Sequence, residues 1–318
     1  ERFNITPHYI PLYREIDGGK KGQYLSSAMK KEKKSEIRRK PPWLKVPPPW
    51  GGTFTEVRKL LRGSSLHTVC EAAKCPNIGE CFSRGTATFL LMGQVCTRHC
   101  AFCNIHAGAT SDLDKNEPIN VAKTIEELKL RFAVITSVTR DDLPDGGASH
   151  FAKTIEAIRQ GTPDVGIEVL IPDFKGDEKA LQTVLAAKPD VLNHNIETVK
   201  SLYPMVRPEA DYQRSLELLR KASQMGHDGL IVKSGLMVGL GEQLEEIVEL
   251  LQDLAEHGVA SVTIGQYLPP SGDHATLVRY VTPEEFEKLG QIAQNLGIKH
   301  VYSSPLVRSS YHADDITK

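Results

Sequence analysis

The sequence predicts an α/β fold: a partial TIM-like (β/α)6 barrel with an N-terminal extension and a short C-terminal one. Three observations predict it. Six continuous apolar runs of strand length alternate with helical segments beyond residue 85, polar and glycine-rich residues follow each run, and hydrophobic residues are 40% of the 318, enough for a substantial core. Runs without polar alternation suit parallel strands buried on both faces. An open doubly wound sheet is the alternative.

Taken in order, residues 1–50 read as an extended strap. Lys30 to Lys40 is a basic run, KKEKKSEIRRK, and reads as solvated surface or as a guide for an acidic partner protein. Pro41, Pro42, Pro47, Pro48 and Pro49 follow, which argues against helix or central strand, and Trp43 and Trp50 offer docking points. Residues 51–85 hold a first group of cysteines. The barrel is expected over 86–285, with strands at Ala87 to Val95, Phe132 to Val138, Gly166 to Ile171, Asp190 to Asn193, Leu230 to Val238 and Ser261 to Tyr267. Glu242 to His257 reads as a helix with Leu244, Ile247, Val248, Leu251 and Leu254 on one face and Gly258 as its stop. Thr282-Pro283-Glu284-Glu285 opens another, with Thr as N-cap, Pro first and acids in the first turn. Residues 286–318 complete a helix, a strand and a tail.

Each run delivers its unusual residues at its C-terminal end, where such barrels build active sites. Cys96 follows the first, Asp141, Asp142 and Gly146-Gly147 the second, and Asp173 the third. Asn193-His194-Asn195 follows the fourth, Gly239-Leu240-Gly241-Glu242 the fifth, and Gln266 ends the sixth.

A net charge of -1 gives no argument for nucleic acid or an anionic membrane as partner. No apolar run approaches the roughly 20 residues of a membrane helix, and no secretory signal is visible. The expected location is cytoplasmic, or the mitochondrial matrix or a plastid if a transit peptide preceded Glu1.

All six cysteines lie between positions 70 and 103, in two triplets: Cys70-x4-Cys75-x5-Cys81 and Cys96-x3-Cys100-x2-Cys103. Disulfides do not suit a long chain with a core and no secretory signal. Structural zinc prefers Cys-x2-Cys pairs; here only Cys100 and Cys103 have that spacing, although His67, His99 and His106 offer further ligands. Iron–sulfur cubanes take one thiolate per iron. Three thiolates leave one iron open for chemistry, so two triplets suggest two clusters.

The second triplet, CTRHCAFC, resembles the signature of the radical S-adenosylmethionine (SAM) superfamily, with Phe102 as the aromatic residue usual before the last cysteine. The resemblance implies that the open iron chelates the amino and carboxylate groups of SAM, which yields a 5′-deoxyadenosyl radical. Gly235 to Glu242 resembles the family's GxIxGxxE stretch, with Met237 in place of Ile, and places Gly239 and Gly241 close to the cofactor. Gly146-Gly147 resembles the pair that contacts the methionyl amino group, though Ala148 stands where many members have Glu. Asn193, Asn195 and Glu197 are candidates for hydrogen bonds to ribose or carboxylate, or for capping the next helix.

The first triplet, CEAAKCPNIGEC, resembles the auxiliary-cluster motif of the lipoyl synthase family, and Arg308-Ser309-Ser310-Tyr311 matches that family's RSSY motif. ITSVTRDDLPDGG, NHNIE, SGLMVGLGE and GQYLPPS also fit, so the resemblance runs from about residue 35 to 315. It implies an N-terminal extension carrying an auxiliary 4Fe–4S cluster, with Ser310 as its fourth ligand and Arg308 as a neighbouring donor. An alkoxide is a harder donor than thiolate, and iron so held should leave easily. The implied reaction inserts sulfur at carbons 6 and 8 of an octanoyl group. Those C–H bonds have no neighbouring carbonyl, so side-chain bases are useless and hydrogen-atom abstraction is the available route. The implied cofactors are two 4Fe–4S clusters and SAM. The implied partners are an octanoylated lipoyl carrier domain, a low-potential donor of flavodoxin or ferredoxin type and a cluster carrier, with the enzyme a monomer. A biotin-synthase-like sulfur inserter, or a zinc- or cluster-binding protein without catalysis, are the competing readings.

Overall fold

In a computed structural model the described residues are 39–45, 66–69, 77–83, 86–311 and 313–316. Cys70, Cys75, Trp50 and residues 1–38, with most of the basic run, lie outside them. Of the strap, Pro42–Leu44 forms one 3₁₀ turn, against the expectation of a wholly extended segment. Pro42 opens it, a position where a missing N–H costs nothing. Leu44 is the buried residue, while Trp43 stays 39% exposed and does not anchor this piece.

The described strands are β1 (His67–Thr68), β2 (Thr86–Leu91), β3 (Val95–Cys96), β4 (His106–Ala107), β5 (Phe132–Ser137), β6 (Gly166–Leu170), β7 (Val191–Asn193), β8 (Ile231–Val238), β9 (Ser261–Gln266) and β10 (His300–Ser303). The main sheet runs β1-β2-β5-β6-β7-β8-β9-β10. β1 is antiparallel to β2 and every other pairing is parallel. The six expected strands are all present, in chain order, and β10 adds a parallel neighbour to β9. The α-helices among the described residues are α1 (Ile78–Ser83), α2 (Glu117–Glu127), α3 (Ala148–Gly161), α4 (Glu178–Ala186), α5 (Tyr203–Val206), α6 (Tyr212–Met225), α7 (Leu244–Glu256) and α8 (Pro283–Asn295).

Two elements differ from expectation. The first apolar run does not continue to Val95: β2 stops at Leu91, and Met92 and Gly93 take φ of 66° and 91°. The Glu117 carboxylate accepts the Met92 N–H at 2.9 Å and holds this turn. Cys96 therefore sits on a separate two-strand ribbon, with Val95 opposite His106 and Cys96 opposite Ala107. Second, α7 starts at Leu244, which is 54% exposed, and buries Ile247, Leu250, Leu251 and Leu254 instead. Glu242 is not helical: it folds back onto its own turn. α8 begins as expected, with Thr282 and Glu285 forming a reciprocal capping box.

One sheet face packs on the helices through residues such as Ile135, Val169, Leu192 and Ile264. The alternate residues face the other way, and that face is not uniformly apolar. Lys233 pairs with Glu168 at 2.9 Å, Asn193 donates to Glu168 at 2.8 Å, and all three are fully buried. Below them Phe132, Val134 and Val191 pack against Ala313 and Ile316 of the tail.

Candidate active site

The second cysteine triplet lies in the loop that β3 and β4 close, and Gly108 N–H adds a bond to Cys96 O at 3.0 Å. The loop is clasped from outside. Ala101 N–H donates to Val206 O at 2.9 Å, and Ala101 O accepts from Ala275 N–H at 2.7 Å. Phe102 packs beside the buried group of Val206, Leu240 and Tyr267. All three thiols are half-buried.

Backbone N–H groups point at two of the sulfurs. Cys96 Sγ accepts from Arg98 at 3.4 Å and Thr139 at 3.3 Å, and Cys103 Sγ from Ile105 at 3.5 Å. Such bonds support thiolate ligands of clusters. Burial pushes the Cys100 thiol up, partly offset by the Arg207 guanidinium. Burial likewise pushes Cys103 up to about 12, against the Ile105 hydrogen bond. Thiols so placed ionise when a cation neutralises them. Among the described residues no three Cys, His, Asp or Glu side chains converge on a single-ion site. His99 instead faces Glu209 at 3.1 Å. Three thiols on one loop fit a polynuclear cluster, which spreads its thiolates over separate irons.

The strand ends beside the loop carry the other expected residues. Gly147 (φ 91°) opens α3, where a Cβ would collide with the Met92 thioether, and Gly146 (φ 61°) lies against the Phe174 ring. Glu197, at φ 67°, bridges its backbone to β8 through Gly235 O and Met237 N–H. Burial pushes its carboxyl up, against the pull of Arg207 and the Asn195 amide. Asn195 donates to Glu197 at 3.1 Å, while its Oδ1 is buried without a partner and sits over the Gly235 backbone. Asn193 is committed to Glu168, with only Oδ1 left over. Gly239 (φ 105°) and Gly241 (φ 117°) form a turn whose N–H groups at Gly239 and Leu240 bind the Glu242 carboxylate at 2.6 and 2.9 Å. Gln266 is fully used by the main chain around it, including Val238 O at 3.0 Å and Val281 N–H at 2.7 Å. The unsatisfied amide oxygen of Asn195, near the cysteine loop, fits a polar organic cofactor such as SAM.

Two arginines were not among the expected site residues. Arg207 donates to Asn195 O at 2.9 Å and to Tyr203 Oη at 3.1 Å, and its buried Nε has no partner. Arg98, inside the cysteine motif, is 5% exposed and grips Asp141 and Asp173. A charged residue between two cysteines was the only signal for Arg98; nothing local marked Arg207.

Of the first triplet only Cys81 is described. Its helix α1 meets the tail: Asn77 donates to Leu306 O at 2.7 Å, and Tyr311 Oη lies 3.2 Å from both Glu80 carboxylate oxygens. Ser310 precedes Tyr311, so the structure brings Cys81 and the RSSY segment into one neighbourhood. Arg308 donates to Val307 O at 2.6 Å.

Comparison with known proteins gives the family. The family model for the radical SAM superfamily matches residues 90–254, and that for the N-terminal domain of lipoyl synthase matches residues 16–75. A lipoyl synthase of Rubrobacter xylanophilus is 55% identical over 279 residues, covering 88% of this chain and 87% of that protein. One from Acidovorax ebreus is 50% identical over 311 residues, covering 97% and 94%. Among solved structures, Streptococcus suis SuiB bound to S-adenosylmethionine has a TM-score of 0.51 at 10% identity, covering 76% of this chain and 57% of that one. HydG, a maturase of the FeFe-hydrogenase, has a TM-score of 0.53 at 14% identity, covering 78% and 66%. These two speak for the fold alone. With relatives 55% and 56% identical over 88% and 87% of the chain, the protein belongs to the lipoyl synthase family of radical SAM enzymes.

Proposed function

We propose that the enzyme inserts two sulfur atoms, at carbons 6 and 8, into an octanoyl group amide-linked to a lysine of a lipoyl carrier domain. The observation that carries this reading is the junction of α1 with the tail, through Asn77 to Leu306 and Tyr311 to Glu80, since an auxiliary cluster needs both segments. In this reading Cys96, Cys100 and Cys103 hold one 4Fe–4S cluster, and Cys70, Cys75, Cys81 and Ser310 hold a second. When bound, the first cluster and SAM supply a 5′-deoxyadenosyl radical for hydrogen abstraction, and the second supplies the sulfur.

The chain's own residues bind and exclude. Gly146, Gly147, Gly239 and Gly241 take left-handed backbone that glycine adopts without strain, and so shape the turns that border the cofactor. Asn195, through its free Oδ1, and the half-buried Glu197 beside it select a hydrogen-bonding, partly cationic ligand. Phe102 shields the thiol loop from water. Arg308 steadies the RSSY turn through Val307 O. A low-potential flavodoxin or ferredoxin would supply electrons, and a cluster carrier would rebuild what each turnover consumes.

The test is anaerobic reconstitution with iron and sulfide, then mass spectrometry of an octanoyl-lysyl peptide incubated with SAM and reductant. Two added sulfurs with 5′-deoxyadenosine released is the expected result, and Ser310→Ala should release deoxyadenosine without completing insertion. Deoxyadenosine with no sulfur added by the wild type would move the substrate elsewhere. Neither product, from protein holding two clusters, would defeat the reading.

A further inference from the structure

We propose that Arg98 is the positioning residue that registers the cysteine loop against the glycine pair, so that cluster and SAM are held in one geometry. The proposal rests on the reading that Cys96, Cys100 and Cys103 ligate a cluster.

Arg98 lies between the first two cysteines of the loop and its guanidinium is almost wholly buried. Nε and one Nη bind the two Asp141 oxygens at 2.7 and 2.9 Å, and the same Nη binds Asp173 at 2.6 Å. The forked geometry is one that lysine cannot reproduce. Asp173 is itself fully buried, and its other oxygen accepts from Arg214 at 2.8 Å. Although burial opposes ionisation there, the hydrogen bond and charge of Arg98 hold the Asp173 carboxyl well below the usual carboxylate range.

The contacts run in both directions from this group. Toward the sulfurs, Thr97 N–H and Oγ1 both donate to Thr139 O at 3.0 Å, Asp141 N–H donates to Thr97 Oγ1 at 3.1 Å, and Thr139 N–H reaches Cys96 Sγ. Toward the glycines, Asp173 accepts the Lys175 N–H at 3.1 Å and caps a turn in which Phe174, Lys175 and Gly176 all take positive φ, at 46°, 52° and 83°. Left-handed backbone at two non-glycine residues in succession is strained and persists only where the surroundings enforce it. That turn sets the Phe174 ring against Gly146. One guanidinium thus ties the thiol loop, the end of β5 and the turn after β6 that backs the glycine pair.

Stability alone does not account for such a group. A buried ion network offers little net stability over an apolar replacement of similar volume, and its best-attested use is to specify one arrangement. Ligands of a metal centre need such support, since loss of an outer hydrogen-bond partner weakens metal retention by about 10–100-fold.

The experiment uses the reconstituted full chain and follows, separately, iron release from each cluster to a chelator and the SAM-dependent change in the electron paramagnetic resonance spectrum of the reduced protein. Cys100→Ala and Cys81→Ala identify which signal belongs to which cluster. Arg98→Lys is expected to accelerate release from the Cys96 loop at least tenfold, with the auxiliary cluster's release and the apo-protein's circular dichroism unchanged, and to diminish the SAM-dependent spectral change. Unchanged release and spectrum would overturn the proposal, as would equal acceleration at both clusters, which marks a general structural role. Asp141→Asn removes one arm of the fork, leaves Asp173 paired, and carries the same expectation and refutation if Arg98→Lys does not fold. If Cys96→Ala and Cys100→Ala lose no iron relative to wild type, the ligand reading itself fails, which no Arg98 result would imitate.

Discussion

The Asn77 side-chain amide donates to the Leu306 carbonyl at 2.7 Å, joining segments 229 positions apart in the sequence. Asn77 also accepts the Cys81 N–H on its own carbonyl at 3.0 Å, so the same residue starts the cysteine helix and fastens it to the tail.

Asn77→Ala should therefore act on one cluster. Loss of a part-buried hydrogen bond costs about 1 kcal/mol, small against global stability. The expected outcome is a fall from about eight irons per chain to about four after desalting, with the Cys96-loop signal intact. Iron and sulfide assay checks it; full retention of both clusters would show that the junction is dispensable.

Gly147→Ala places a methyl group against the Met92 thioether at a left-handed position. The expected cost is about 1–3 kcal/mol in urea unfolding, together with weaker SAM binding by calorimetry. Unfolding shifted without any change in SAM affinity would separate the turn from the cofactor.

Lys233 and Glu168 form a fully buried pair on the sheet face that points away from the helices. Lys233→Met alone strands a carboxylate and should cost about 3–5 kcal/mol, while Lys233→Met with Glu168→Met should recover most of it. Urea denaturation of both variants measures the difference. A double variant no better than the single one would mean that the pair contributes directly to stability.

His194 is buried neutral. A carbonyl only accepts, so Nδ1–H donates to Ile171 O at 2.9 Å and Nε2 accepts from Ser215 Oγ at 3.0 Å. Burial, reinforced by the Arg207 charge, lowers its pKa to about 4. The unfolded state, near 6.5, then binds the proton first, so stability is lost as pH falls from about 6.5 toward 4. Between pH 7 and 5 the loss attributable to this group is about 2 kcal/mol. Unfolding of wild type and His194→Gln at both pH values checks it, and an equal loss in the two proteins would assign the slope elsewhere.

What can be read from the chain alone is the set of six strands that alternate with helices, in their order, and the two cysteine triplets; β1 and β10, which flank those six in the sheet, were not among them. Each is written locally: apolar runs bury wherever they fold, glycine marks a turn or close approach, and ligand spacing is a property of one loop. It also carried the family through CTRHCAFC, CEAAKCPNIGEC and RSSY. Tertiary structure alone decided the rest. Nothing near Arg98 in the chain says that Asp141 and Asp173 will meet it, because those partners arrive on different strands. Asn193 read as a cofactor contact or a helix cap, and only the sheet pleat shows that its amide N–H donates to Glu168, with Oδ1 left over. Glu242 looked like a first helical turn, yet two freed glycine-turn N–H groups needed an acceptor and captured it. The meeting of α1 with the tail joins segments on opposite sides of the barrel sequence, and only packing of the barrel between them brings the two together.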